Sequence, residues 1–347
     1  AYEYETYTKI EVDVDNISEN FRQKKFMQKI TRVMDSVDQI AGEDGKPILP
    51  MFISESISKF YFRQTPRSQH EKILKTKIQG VGVEDGTLVS QFIGSSFQQY
   101  NFYENWLNIV GKEFVSPIAD GWRLYYEYDL VDSAFVGDDF CYRLDFFPRS
   151  EQDLAFTGSM WITKNEYAVK QIDATVARTA NLNYIEKIKI QQELSPTSAG
   201  PWLPAKNRVL LDIGEITEGM AGLLAKFYTS NEDVKVNDPK EVKFYVRPIE
   251  VAEDFMVGSD DEFWNANRHE PLSPAEVSVY QMIDTLNNIP VVRTYTDILK
   301  VVVNGYKRIG KFDFGPYLTL YTNNSVEGNR LTLGGRTNIR FRKKWIL

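Results

Sequence analysis

The 347-residue sequence is poor in the residues on which many enzymes and metal sites rely, with one cysteine and two histidines. A lone Cys141 forms no internal disulfide, and the separated His70 and His269 supply no histidine-rich metal site. No apolar run approaches the roughly 18–20 residues of a membrane-spanning helix. Positive charge is not in excess either. With 41 Lys and Arg against 48 Asp and Glu, a net charge of -7 gives no general attraction for phosphate backbones, so nucleic acid is not an expected partner. The chain opens on Ala1 without a signal peptide, which reads as a processed or excised segment. A soluble domain and a membrane protein that spans with strands both remain open.

What is abundant is aromatic. Phe, Trp and Tyr make up 13% of the chain, and together with Val, Ile and Thr they favour pleated, half-buried strands. Tyr2 to Val14 alternates, with Tyr2, Tyr4, Thr6, Thr8, Ile10, Val12 and Val14 on one face and Glu3, Glu5, Glu11 and Asp13 on the other, which predicts a strand with one wet side. Met51 to Phe62 also reads as a strand, while Ser68 to Gln79 is ambiguous. Apolar residues at steps of three and four predict helices near residues 18–41, capped by Ser18, and near 95–115, through Phe97, Tyr100, Tyr103, Leu107, Val110 and Phe114.

From Gly121 to Val251 long alternating strands follow one another, separated by turn-like stretches such as Gly137-Asp138-Asp139. The expected fold class is therefore mainly β (α+β), a curved antiparallel half-barrel sheet over residues 1–250 that covers the two helices. An acidic, helical linker follows over residues 251–310. Its helix has the clearest start in the chain: Ser273 as cap, Pro274 in the first turn and Glu276 closing the box. The apolar positions expected on the concave face are Leu124, Tyr126, Tyr128, Tyr142, Leu144, Phe146, Phe156, Met160 and Ile162. They read either as ordinary core or as the wall of a lipid groove.

Residues 311–347 carry a different pattern. Phe312, Phe314, Leu318 and Leu320 alternate with Asp313, Gly315, Tyr317 and Thr319; after a polar turn, Leu331, Leu333, Ile339 and Phe341 alternate with polar positions that include Arg330, Arg336 and Arg340. Each strand has about nine to eleven residues, enough to cross a bilayer when tilted, and the three arginines would face a water-filled lumen. The other reading is an ordinary hairpin of a soluble sheet.

Chemistry-bearing motifs are scarce. No Gly-x-Ser-x-Gly elbow occurs, His269-Glu270 runs into Pro271 with no second histidine in helical register, and Gly80-Val81-Gly82 lacks the rest of a dinucleotide fingerprint. The acids between Glu253 and Glu262 lack calcium-loop spacing. No catalytic residue, cofactor or metal site is assigned, and a carbohydrate- or peptide-active enzyme stays as an alternative.

Five stretches occur in order: Ser54-Glu55-Ser56-Ile57-Ser58, Tyr100-Asn101-Phe102-Tyr103, Phe114-Val115-Ser116-Pro117-Ile118, Phe156-Thr157-Gly158-Ser159-Met160-Trp161-Ile162 and Glu327-Gly328-Asn329-Arg330-Leu331. In this set the chain resembles a Bacteroidota outer-membrane family of unknown function, whose members carry a carboxypeptidase-like regulatory domain, a periplasmic region and a β-barrel. The resemblance implies that residues 1–310 are periplasmic and 311–347 begin the barrel, with the outer membrane, lipid or lipoprotein and other envelope proteins as partners. The order of strand, helix and curved sheet is also similar to periplasmic lipoprotein carriers. A soluble or surface-attached interaction module without a barrel is the alternative.

Overall fold

A computed structural model describes residues 1–15, 48–81, 100–109, 112–150, 153–177, 185–214, 222–252, 261–288, 307–314, 321–324, 328–331 and 334–337. The chain lays down β1 (Tyr2–Asp15), β2 (Leu49–Arg63) and β3 (Ser68–Gly80), then a short hairpin of β4 (Trp106–Ile109) and β5 (Lys112–Val115). The meander expected from alternation follows as β6 (Tyr126–Val136), β7 (Asp139–Pro148), β8 (Thr157–Thr163), β9 (Val169–Ala177), β10 (Ile185–Pro196), β11 (Trp202–Ile213) and β12 (Gly222–Val236). A short β13 (Ile249–Val251) closes the series.

Eleven of these strands form one open, curved sheet in the order β13-β3-β2-β1-β12-β11-β10-β9-β8-β7-β6. Every pairing is antiparallel except that of β13 with β3. The first strand lies mid-sheet: β1 pairs with β12 from Tyr2↔Val236 to Asp15↔Gly222 and with β2 on its other side. Between β6 and β7 the turn needs a left-handed residue, and Gly137 supplies it at φ 59°.

Both faces of this sheet are covered, which corrects the expectation of one wet side on β1. Ile10 and Val12 face the main core, while Glu11, Asp13 and Asp15 on the opposite side are buried too. What covers that outer side is the segment expected to be a linker. Helices α1 (Asp261–Asn267) and α2 (Pro274–Asn287) lie against it. Val279, Met282, Ile283 and Leu286 of α2 meet Leu49, Ile53, Leu210 and Leu224, and Trp264 of α1 packs with Tyr7, Ile57 and Tyr228. The Ser273–Glu276 capping box is formed in both directions, with Pro274 in the first turn.

The helix expected near 95–115 is not present among the described residues. Leu107 and Ile109 are buried while Trp106 and Asn108 are exposed, a period of two that suits β4 where the spacing had suggested a helix. The helix expected near 18–41 lies outside the described residues. Leu124 is a second correction. The chain makes a single helical turn over Trp122–Tyr125 before β6 begins, so Leu124 stands off the sheet with 75% of its surface exposed.

At the C-terminus β15 (Phe312–Phe314) pairs with β18 (Gly335–Thr337), and β16 (Tyr321–Asn324) with β17 (Gly328–Leu331). Sequence pattern missed a third strand, β14 (Lys307–Ile309), which pairs with β15. Ile309, Phe312, Phe314 and Leu331 are exposed, and Asp313 sits opposite Arg336.

Gly158 tests the close packing of the meander. A Cβ there would lie 1.9 Å from the Asp173 carbonyl oxygen and 3.0 Å from the Phe146 ring, and backbone cannot yield as a flexible side chain would. Gly158→Ala is expected to lower stability by about 1–3 kcal/mol in urea unfolding; an unchanged midpoint would contradict this packing.

Candidate functional site

The segment from Tyr100 to Ala119, including the β4–β5 hairpin, lies on the main core face of the sheet. Phe102, Leu107, Ile109, Phe114 and Val115 join Tyr126, Phe146, Phe156, Met160, Ile172 and Ile190 in one cluster. Hydrogen bonds hold the segment in place. Tyr126 donates its hydroxyl to the Val115 carbonyl at 2.6 Å and accepts the Phe156 N–H at 2.9 Å; Tyr128 donates to the Pro117 carbonyl. Ser116 donates to the Phe102 carbonyl, and Val169 N–H donates to the Tyr103 hydroxyl. Two of the family-like stretches, 100–103 and 114–118, are therefore parts of one plug.

The nine residues expected on the concave face are distributed accordingly. Tyr126, Phe146, Phe156 and Met160 are buried within the cluster, and Tyr128, Leu144 and Ile162 pack on it half-buried. Tyr142 lies edge-on to Phe140 outside the cluster, and Leu124 is exposed as described. None of the nine lines the cavity of about 510 Å³ on this face.

The open space lies at the other end of the same face, where the plug stops. A cavity of about 510 Å³ is bounded by Tyr2, Tyr4 and Thr6 of β1, Phe60 and Phe62 of β2, Gln69 and Glu71 of β3, and, from across the sheet, Leu194 of β10, Trp202 of β11 and Asn231 of β12. β3 and β10 lie five strands apart in the sheet yet line one space, so this face is concave. Tyr100, Asn101, Tyr103 and Glu104 form its side toward the plug.

Register explains the lining. Tyr4, Phe60 and Glu71 are direct cross-strand neighbours, as are Tyr2, Phe62 and Gln69, so four aromatic rings lie together. Tyr2 and Phe62 stack at 4.8 Å and Tyr4 and Phe60 at 5.1 Å. Burial pushes the Tyr2 hydroxyl up to about 12 and also raises Tyr4 well above the ordinary tyrosine value. The cavity also has a polar edge. Gln192 donates to the Tyr100 carbonyl at 2.9 Å and to Asn207 at 2.7 Å, and Asn207 donates to Thr229. At the rim Arg67 pairs with Glu104 at 2.9 Å. Sequence reasoning missed these residues although Tyr2/Tyr4 and Phe60/Phe62 are visible aromatic pairs on predicted strands. Nothing local says that β1 and β2 pair in this register.

Behind the cavity, on the outer face, sits a buried ionic network. Glu55 accepts hydrogen bonds from Tyr7 at 2.6 Å, Tyr280 at 2.5 Å, and Arg268 Nε and Nη2 at 2.5 and 2.9 Å. Burial alone would raise its pKa, but the donors from Arg268, Tyr280 and Tyr7 outweigh it and hold the carboxyl below its ordinary 4.5. Nearby, Lys226 reaches Glu11 at 2.7 Å and Asp13 at 2.9 Å. Burial and the Glu11 carboxylate push Asp13 up to about 8 against the pull of Lys226.

The remaining candidates fall elsewhere. The side chain of His269 is 5% exposed and shares a 2.6 Å hydrogen bond with Ser230. Cys141 is buried and free. Among the described residues no three His, Cys, Asp or Glu side chains are grouped to hold a metal, and no helix is long and apolar enough to cross a membrane. Arg336 lies 3.4 Å from Asp313; Arg330 falls on β17, and Arg340 lies outside the described residues.

A curved open sheet wrapped on a plug, with a cavity where the plug ends, defines a half-barrel protein. Residues 1–230 match the family described as a family of unknown function, DUF5686, and the chain belongs to that family. No curated protein matches it. Solved structures similar to it include a putative outer membrane lipoprotein-sorting protein domain from Vibrio parahaemolyticus, 7% identical with TM-score 0.24, covering 70% of this chain and 89% of that one. A DUF1329 family protein from Desulfovibrio piger is 10% identical with TM-score 0.24, over 70% and 89%. A LolA superfamily protein from Nitrosomonas europaea is 8% identical with TM-score 0.22, over 71% and 90%.

Glu55→Gln removes the charge that compensates buried Arg268 and is expected to cost about 3–5 kcal/mol in denaturant unfolding. The wild-type contribution is present above the ordinary carboxyl value of 4.5 and is lost as pH falls through the lower folded value, because the folded chain holds this proton less tightly than the unfolded chain does. Acid unfolding should show this loss in the wild type and not in the variant; identical acid profiles would remove Glu55 as its source.

Proposed function

We propose that this chain is the non-enzymatic, periplasmic part of an outer-membrane β-barrel protein, and that its concave cavity holds the apolar portion of a lipid or a lipid-modified protein. The observation that carries the reading is the cavity itself. At about 510 Å³ it falls in the range of small-molecule sites, roughly 300–1,000 Å³, and it joins an aromatic wall to a small set of placed polar groups. The C-terminal strands support the barrel part: Phe312 and Phe314 are exposed while Asp313 between them meets Arg336, the alternation a barrel wall requires.

Native mass spectrometry of the purified chain is expected to detect a bound lipid. Trp202→Glu together with Phe62→Glu, which place charge in the cavity wall, should abolish it. A wild-type chain that carries no lipid and takes up none from vesicles would refute the cavity's role.

A second reading, protein recognition, is favoured by the free edge of the sheet. Along β6, Leu130 and Phe135 are 67% and 71% exposed, and Val131 is exposed too, on a strand whose outer edge pairs with none of the described strands. Crosslinking from position 135 should then capture a partner through strand addition, and Val131→Pro should abolish capture without changing lipid binding. Capture that survives Val131→Pro would place the contact elsewhere.

A further inference from the structure

The cavity has one feature that an apolar chain alone does not use. Glu71 lies in the row Phe60–Tyr4 beneath the stacked rings, where its carboxylate accepts one hydrogen bond, from Ser58 at 2.6 Å. Among the described residues its charged surroundings contain no Lys or Arg; burial raises its pKa, opposed first by Ser58 and then by His70. The cavity's own arginine, Arg67, is engaged with Glu104 at the rim. Burial without a cation favours the neutral form of such a carboxyl, and a cationic ligand beside it would favour the charged form.

We infer that the cavity recognises an alkylammonium group, with Glu71 as its ion-pair partner and the rings of Tyr2, Tyr4, Phe60 and Phe62 as the surrounding π-surface. All four rings line the cavity that Glu71 also lines, and the ring surface left open to that space attracts cations. The ammonium would restore the charge balance that the folded chain leaves open at Glu71, and the apolar part of the ligand would extend toward Leu194 and Trp202. The inference rests on the lipid-cavity reading and names the head group that this cavity selects. The same chemistry is offered by an amine-bearing lipid or by a soluble amine.

Dodecylammonium, dodecyl sulfate and neutral dodecyl maltoside, each below its critical micelle concentration, are titrated calorimetrically into the whole chain. Dodecylammonium is expected to bind about tenfold more tightly than the other two. Glu71→Gln should erase that preference and leave dodecyl maltoside binding unchanged, which also shows that the variant is folded. Tyr4→Leu keeps the carboxylate, removes a ring and should reduce the preference in part. Equal affinity for all three probes in the wild type, or a preference that survives Glu71→Gln, overturns the inference and leaves the lipid cavity standing. If none of the three binds, the cavity reading fails with it. Ethanolamine and spermidine separate the sources: binding much weaker than dodecylammonium supports a lipid-borne amine, and equal binding overturns that source in favour of a soluble one.

Discussion

An open curved sheet buries apolar side chains only where something lies on it, and the organisation of this protein follows from how its two faces are covered. On the concave side the described part of the segment Tyr100 to Ala119 packs into the main core, and a cavity opens beside Tyr100 to Glu104, between the ends of β1 to β3 and those of β10 to β12. Large rings line this space, and among the described residues no side chain fills it. Interiors are otherwise close-packed, so a lined space of this size sets this end of the sheet apart from a simple core.

The outer face is covered by the chain that follows the sheet, and there the fastening is ionic. Glu55 collects donors from β1, from α2 and from the Arg268 side chain just after α1, so one carboxylate ties two helices to the strand behind the cavity. The alternation of Ser54, Glu55, Ser56, Ile57 and Ser58 now has a physical meaning. Ser54, Ser56 and Ser58 face the concave side, where Ser58 holds Glu71; Glu55 and Ile57 face the helices. The two sides of β2 thus connect the cavity wall to the clamp that supports it.

Much of this was legible from local pattern. The long strands of the meander, β1, β2 and the α2 capping box all appear where period and cap chemistry place them, because those signals act over a few residues. β4 was misread as helix because Tyr103, Leu107, Val110 and Phe114 satisfy helical spacing, while the buried pair Leu107 and Ile109 follows the strand period that the tertiary contact selects. Leu124 was misplaced because alternation alone does not reveal the helical turn that precedes β6.

The cavity and the clamp were not legible at all. Tyr4, Phe60 and Glu71 come from separate strands and meet only through register, and Glu55 meets Arg268 across more than two hundred residues. By itself the sequence determined a mostly β chain, its alternating strands, the start of α2 and the shortage of ligating side chains. Tertiary structure decided which face each strand turns to the plug, which acids become buried, and where the concave face stays open, because register and coverage arise between distant segments and leave no period in any one of them.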